Sequence, residues 1–165
     1  MNLAEFNAAS SADASDVIRP AAAIESWVQG IVDARPFASV ADVVAYATEA
    51  AAAWTPDDIA SALAHHPRIG ERAAGADRES TMSRSEQSGV DASDVDVQRR
   101  LVAGNHAYEE KFGRVFLIRA AGRSADDILE ALEARLDNDP DVEIVVVGQQ
   151  LKEIAALRLE GILDD

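Results

Sequence analysis

The chain has 165 residues, of which 48% are apolar, a length and composition that suit one folded domain with a sizeable core. Thirty acidic residues against fifteen basic ones give a formal charge of −15, which makes nucleic acid and anionic lipid poor partners. No cysteine is present, so disulfides, thiol catalysis and cysteine-bound metal are excluded. No stretch approaches the roughly 18 apolar residues of a membrane span. The N-terminus lacks the basic-then-apolar pattern of a signal peptide, and Leu163-Asp164-Asp165 is no peroxisomal address. A cytoplasmic location is the expectation.

In chain order, abundant Ala and apolar residues recurring every three or four positions predict an all-α fold. Residues 8–16, rich in Ala, Ser and Asp, read as a loop or a loose early helix. A helix is expected over 20–34, carrying Ile24, Trp27, Val28 and Ile31, and Arg35-Pro36 ends it. The next covers 39–52, with Val40, Val43, Val44 and Ala47 on its face. Thr55, Pro56, Asp57 and Asp58 open a third, which Pro67 stops near His66. Residues 70–82 read as a polar loop. A long amphipathic helix over 93–112 is stopped by Gly113. Val115-Phe116-Leu117-Ile118 is the one strand-like run. With no partner strand it reads as a buried extended segment. Ser124 and Asp127 form a capping box for a helix through Leu136, and Asn138-Asp139-Pro140 opens the last, running to about 162. The sum is a single domain over 1–165, a bundle of about seven to nine helices with one buried extended segment.

Residues that break the helical pattern are the candidates for chemistry. In the last helix Ile144, Val147, Leu151, Ile154, Ala155 and Ile162 form a stripe, and Arg158 falls near its middle. A guanidinium there must pair with a carboxylate or bind a ligand; a buried ion pair explains it as well as a site does. His66 shares the face of Ile59 and Leu63, whereas His65 points about 100° away. As an inward histidine at a helix C-terminus, His66 is favoured in its protonated form. A core histidine bonded to a backbone carbonyl is the alternative. Ser83-Arg84-Ser85-Glu86-Gln87 has no apolar stripe to account for it. A helical turn would put Ser83 and Glu86 on one face, or Ser83 could cap a helix with Glu86 as its capping-box partner. Asn105 lies near the Val97, Leu101, Tyr108 and Phe112 face, where an amide is usually a structural hydrogen-bonder. The histidines lack the i, i+4 spacing of a helical metal pair, so no metal site is expected.

Taken together these motifs resemble one family. His66-Pro67-Arg68-Ile69-Gly70 is similar to the His-Pro-x-Ile-Gly element of the 2-oxo-4-hydroxy-4-carboxy-5-ureidoimidazoline (OHCU) decarboxylases. Arg35-Pro36-Phe37, Ser83-x-x-Glu86-Gln87 and Asn105-x-x-Tyr108-x-x-Lys111-Phe112-Gly113 match in order. So do Phe116 through Ala120, Gly122-Arg123-Ser124, Arg135-Leu136-x-Asn138-Asp139 and Leu157-Arg158-Leu159. Arg119 stands where many members carry a small or sulfur-containing residue.

The resemblance implies an all-α monomer that often dimerises and catalysis without metal or organic cofactor. It implies a small ureidoimidazoline as substrate. His66 corresponds to the catalytic histidine and Glu86 to its carboxylate partner. Pro67, Ser83, Arg84, Ser85 and Gln87, together with Phe116, Leu117, Ile118, Arg119 and Ala120, correspond to substrate-binding positions, and Arg158 to an arginine at the site. A non-enzymatic acidic helical module and a ureide hydrolase on the same scaffold are the competing readings.

Overall fold

A computed structural model describes residues 1–64, 66–70, 78–90 and 94–164. Among these residues there are nine α-helices: α1 Leu3–Ala8, α2 Ser11–Ile18, α3 Glu25–Asp33, α4 Val40–Ala50, α5 Pro56–Leu63, α6 Arg78–Glu86, α7 Val95–Phe112, α8 Ala125–Arg135 and α9 Pro140–Ile162. The only β pairing among them is an isolated parallel bridge between Asn2 and Asp164. The chain forms two compact units, one of Met1–Ala62 with Leu151–Asp165, the other of Leu63–Gln150.

The helix starts follow the chemistry of their caps. The side chains of Asn2, Ser10, Ser39, Asp94 and Ser124 each accept a backbone N–H from the first turn. Thr55 and Asp58 exchange the bonds of a capping box. Gly113 closes α7 at φ 68°, a left-handed position that suits glycine.

Of the two readings of residues 8–16, the helical one holds: α2 begins at Ser11 on the Ser10 cap, and α1 precedes it on a full capping box from Asn2 and Glu5. Three other expectations are corrected. Helix α3 begins at Glu25, not 20. Ala21, Ala22 and Ile24 bury their side chains in a turn, with the Ala21 N–H bonded to Ile18 and the Ile24 N–H to Ala22, so burial overrides alanine's helix propensity. Helix α5 ends at Leu63, because Pro67 holds the preceding residue out of helical geometry and the His66 N–H turns back to the Leu63 carbonyl at 3.0 Å. The polar stretch 70–82 is helical from Arg78 onward, and its residues 71–77 lie outside the described residues. Polar composition concealed α6 because a helix with so little apolar surface gives no periodic signal.

In the first unit, Arg35 does the work of a C-cap. Its guanidinium donates to the carbonyls of Phe6 (2.6 Å), Ala9 (3.0 Å) and Val32 (2.8 Å), the ends of α1 and α3. Asn7 and Phe37 exchange a reciprocal pair of bonds at 2.9 and 3.0 Å, so the Arg-Pro-Phe motif fastens α1 to the end of α3.

In the second unit, α7 and α8 pack around Val97, Leu101, Tyr108, Phe112, Ile128, Leu129 and Leu132. Gly104 permits the close approach: a Cβ there would lie 2.6 Å from Leu132 Cδ2. Beneath this core sits a polar knot. Glu143 is 0% exposed, yet its carboxylate accepts four bonds: from Tyr108 Oη (2.5 Å), Arg135 Nε (2.8 Å), Arg135 Nη2 (2.5 Å) and Asn138 Nδ2 (2.9 Å). The remaining Arg135 nitrogen, Nη1, donates to the Leu117 carbonyl at 2.7 Å, and the guanidinium stacks 4.5 Å over the Phe116 ring. A buried pair this fully bonded is costly to break from one side.

Burial, followed by the hydrogen bond to Glu143, pushes the Tyr108 phenol well above its ordinary value. The unfolded phenol ionises near pH ~10. Tyr108 therefore contributes stability that is fully present below about pH 10 and is lost as the pH rises further. Urea melts from pH 8 to 11 should show a shallower alkaline fall for Tyr108→Phe than for the wild type; equal slopes would contradict the assignment. Arg135→Met, which strands Glu143, should cost about 3–5 kcal/mol at neutral pH in the same melts.

Candidate active site

The predicted residues fall on three pieces of the second unit and one helix of the first. His66 and Pro67 are half-buried in the turn that follows α5. His65 lies outside the described residues. Ser83, Arg84, Ser85 and Glu86 occupy the last turn of α6, and Gln87 opens the 3₁₀ turn that follows. Ser83 is 3% exposed and lies inside the helix, not at its start, so the capping-box reading is overturned. Glu86 and Gln87 are half-buried and Ser85 is exposed. Arg84 donates to Thr81 Oγ1 at 3.0 Å. The expected alignment of His66 with the Ile59 face by helical phase does not apply, since the helix stops three residues earlier.

The turn at 66–70 has no helix or sheet to hold it, and side chains take that role. Gly70 N–H donates to Gln87 Oε1 at 3.0 Å, which ties the end of α6 to the turn carrying His66. Asn105 Nδ2 donates to the Ile69 carbonyl at 3.0 Å. Arg68 Nε pairs with Glu109 Oε1 at 2.8 Å. Ile69 itself is buried in the α7–α8 core.

Val115 through Ile118, expected as a buried extended segment, lies in a stretch without helix or strand that runs on to Ala120. Phe116, Leu117, Ile118 and Ala120 are buried and Arg119 is half-buried. No strand flanks it among the described residues. Its backbone is held by Arg135 at the Leu117 carbonyl and by Gln150, whose Oε1 accepts the Arg119 N–H at 2.9 Å. An extended backbone fixed by side chains in this way can offer its other groups to a ligand without adding charge.

Arg158 is described within the first unit. It is 3% exposed, and its Nη1 donates to the Pro20 carbonyl at 3.0 Å. The stripe it was read from holds at Val147, Leu151, Ile154, Ala155 and Ile162, and differs only at its first member. Glu143, with Val147, Leu151, Ile154 and Arg158, is buried, whereas Ile144 is only half-buried.

A cavity of about 600 Å³ lies beside the 66–70 turn, with Arg68, Ile69 and Gly70 on one wall and Leu101, Asn105 and Glu109 of α7 on the other. None of His66, Glu86 or 116–120 is among its described lining residues. Among the described residues no three His, Asp or Glu side chains gather closely enough to hold a metal ion, and no helix is long and apolar enough to cross a membrane.

Sequence reasoning missed Glu143, Glu109 and Gln150. Glu143 carried a signal: it stands one helical turn before Val147 and two before Leu151, in line with the buried face of α9. Glu109 and Gln150 carried none, because their partners are backbone or loop groups distant in sequence.

The OHCU decarboxylase family model matches residues 7–160, a span that includes every one of these pieces. The chain belongs to the OHCU decarboxylase family. It is 32% identical over 111 residues to the uric acid degradation bifunctional protein TTL of Arabidopsis thaliana, covering 66% of this chain and 34% of that protein. It is 36% identical over 74 residues to the 2-oxo-4-hydroxy-4-carboxy-5-ureidoimidazoline decarboxylase of Amia calva, covering 45% of this chain and 41% of that one. The chain thus spans about a third of the length of the bifunctional relative and less than half of the Amia calva protein. Its fold is that of a solved OHCU decarboxylase crystallised in the presence of (S)-allantoin, with a TM-score of 0.75 at 24% identity over 88% of this chain and 96% of the other. It also matches an (S)-allantoin synthase, with a TM-score of 0.72 at 16% identity over 99% of this chain and 54% of that one. The all-α expectation holds, and so does the family.

The Gln87 bond to the turn has a local signature. Gln87→Ala should speed Gly70 amide hydrogen exchange by on the order of tenfold, the loss of one modest hydrogen bond, and leave exchange in α7 and α8 unchanged. Unaltered exchange at Gly70 would contradict it.

Proposed function

We propose that this chain decarboxylates 2-oxo-4-hydroxy-4-carboxy-5-ureidoimidazoline to (S)-allantoin in urate degradation, without metal or organic cofactor. The observation that carries the reading is the family match over 7–160, which takes in His66, Glu86 and 116–120 together. The names of the relatives, uric acid degradation proteins and OHCU decarboxylases, support it.

The substrate supplies its own electron sink. When the bond between the ring carbon and its carboxylate breaks, carbon dioxide leaves and the electron pair passes into the adjacent imine system, so no pyridoxal or thiamine is required. A proton must then reach ring carbon from one face, which sets the configuration. His66 is the proposed general acid or base, because imidazole titrates near neutral pH. Glu86 is proposed to hold its ring and favour its protonated form. Pro67, Ser83, Arg84, Ser85 and Gln87 and the backbone of Phe116 through Ala120 are proposed to bind the ring and ureido groups. With Oε1 of Gln87 taken by Gly70, its Nε2 is the half of the amide that a substrate oxygen would meet. A cytoplasmic location and a homodimer belong to the same proposal, with no nucleic acid or membrane as partner.

Generating the unstable substrate in situ from urate and following optical activity tests the reading. The wild type should yield one enantiomer of allantoin with release of carbon dioxide, and should do so after exhaustive chelation and dialysis. Racemic product at the uncatalysed rate would overturn decarboxylation, and a ureide product without carbon dioxide would point to hydrolysis. His66→Asn should lower the rate by about 10²- to 10⁴-fold and His65→Asn should change it little. If the two behave alike in folded protein, the assignment of His66 is wrong.

Arg158 enters the proposal on the family match at Leu157-Arg158-Leu159. Arg158→Gln should lower kcat/KM by on the order of 10²-fold with little loss of folding, and Arg158→Lys should rescue it poorly for want of the planar fork. A large stability loss in urea, with unchanged kinetics in the folded fraction, would assign Arg158 to the first unit's scaffold instead.

A further inference from the structure

We propose that Asn105 and Glu109, one helical turn apart on α7, are positioning residues that set the aim of His66 by gripping the turn that carries it; the proposal rests on the decarboxylase reading above. Residues 66–70 lack regular structure, and Pro67 has no N–H to give. Two of the turn's attachments come from this one face of α7. Asn105 donates to the Ile69 carbonyl, and Glu109 accepts from Arg68. A third, from Gln87, holds Gly70. The i, i+4 spacing of Asn105 and Glu109 makes them neighbours on the helix surface, so a rigid 18-residue helix presents both grips in fixed register.

The state of Asn105 separates positioning from packing. The residue is 6% exposed, and its Oδ1 is buried with no hydrogen-bond partner. A position chosen for packing alone, between Leu101 and Tyr108, would carry an apolar residue and avoid stranding an acceptor. Among the described residues the one hydrogen bond this amide makes is to Ile69, three residues from His66. Proton delivery to one face of a planar ring tolerates little misplacement, and a shift of about 1 Å can cost on the order of 10²-fold. Neither residue needs to touch the substrate for this effect.

Asn105→Leu keeps the branching of the side chain at Cγ and removes the donor. Glu109→Ala removes the acceptor at a less buried site, and Glu109→Gln retains it. Each variant is followed by urea melts, by kcat and KM measured separately with substrate formed in situ, and by NMR of the histidine ring signals. Asn105→Leu and Glu109→Ala should lower kcat about 10- to 100-fold with KM changed by less than about threefold. They should also move the His66 ring signals and the pH profile of kcat/KM. Glu109→Gln should restore both towards wild type. Unmoved His66 signals with wild-type kcat in the folded fraction would overturn the proposal. So would a Glu109→Gln variant as impaired as Glu109→Ala, since charge rather than the grip on Arg68 would then be what matters. The NMR arm reads the turn even in the absence of turnover. Displaced His66 signals in a protein whose wild type produces no allantoin would uphold the grip and overturn the decarboxylase reading.

Discussion

Glu143 is a carboxylate with no access to water, and the second unit is organised around keeping it satisfied. Three side chains from two helices and the connection between α8 and α9 converge on it: Tyr108, Arg135 and Asn138. Arg135, once committed to that carboxylate, has one nitrogen left, and that nitrogen fixes the Leu117 carbonyl. The geometry of a buried ion pair is thereby passed to a segment that has no helix or strand of its own. An isolated buried charge would be prohibitive and an unheld extended backbone would leave its carbonyls unpaired, so each solves the other's problem. The arrangement is not a source of large net stability. Its value is that it admits one register of the 116–120 segment.

The same device recurs at the 66–70 turn, where Asn105, Glu109 and Gln87 take the place of a ladder. Lys111 adds a further case, donating to the Leu136 and Asn138 carbonyls at 2.6 and 2.9 Å past the end of α8. Much of the motif set that resembles the family is therefore tether. Arg35, Asn105, Tyr108, Lys111, Arg135 and Asn138 each secure backbone or a buried charge. Such tethers demand specific residue types at specific spacings, which is why the motifs are distinctive when read together and weak when read singly.

Much of the fold was legible in the sequence, and what was not legible has physical causes. Helices α4, α7, α8 and α9 start within two residues of the expected positions, and α4, α7 and α8 do so on side-chain caps from Ser39, Asp94 and Ser124. The buried extended run was visible because a lone apolar, β-branched stretch fits nothing else. Helix α6 was invisible for lack of an apolar face, and the start of α3 was displaced by burial of Ala21, Ala22 and Ile24 in a turn. Among candidate site residues, His66 and the Ser83–Gln87 stretch stood out by breaking a pattern, and the structure joins their segments through Gln87 and Gly70. Glu143 escaped notice because the stripe of α9 was drawn through Ile144, one position off. Long-range tethers such as Gln150 to Arg119 leave no trace in local periodicity.

The central claim is that the Glu143 knot sets the register of the extended segment rather than merely adding to overall stability. Hydrogen–deuterium exchange of the wild type and Glu143→Gln, compared under conditions where both are fully folded, tests it directly. The account predicts faster exchange concentrated in peptides covering 114–121, with protection in α4 and in the middle of α7 retained. A uniform rise across all helices, with no excess at 114–121, would contradict it.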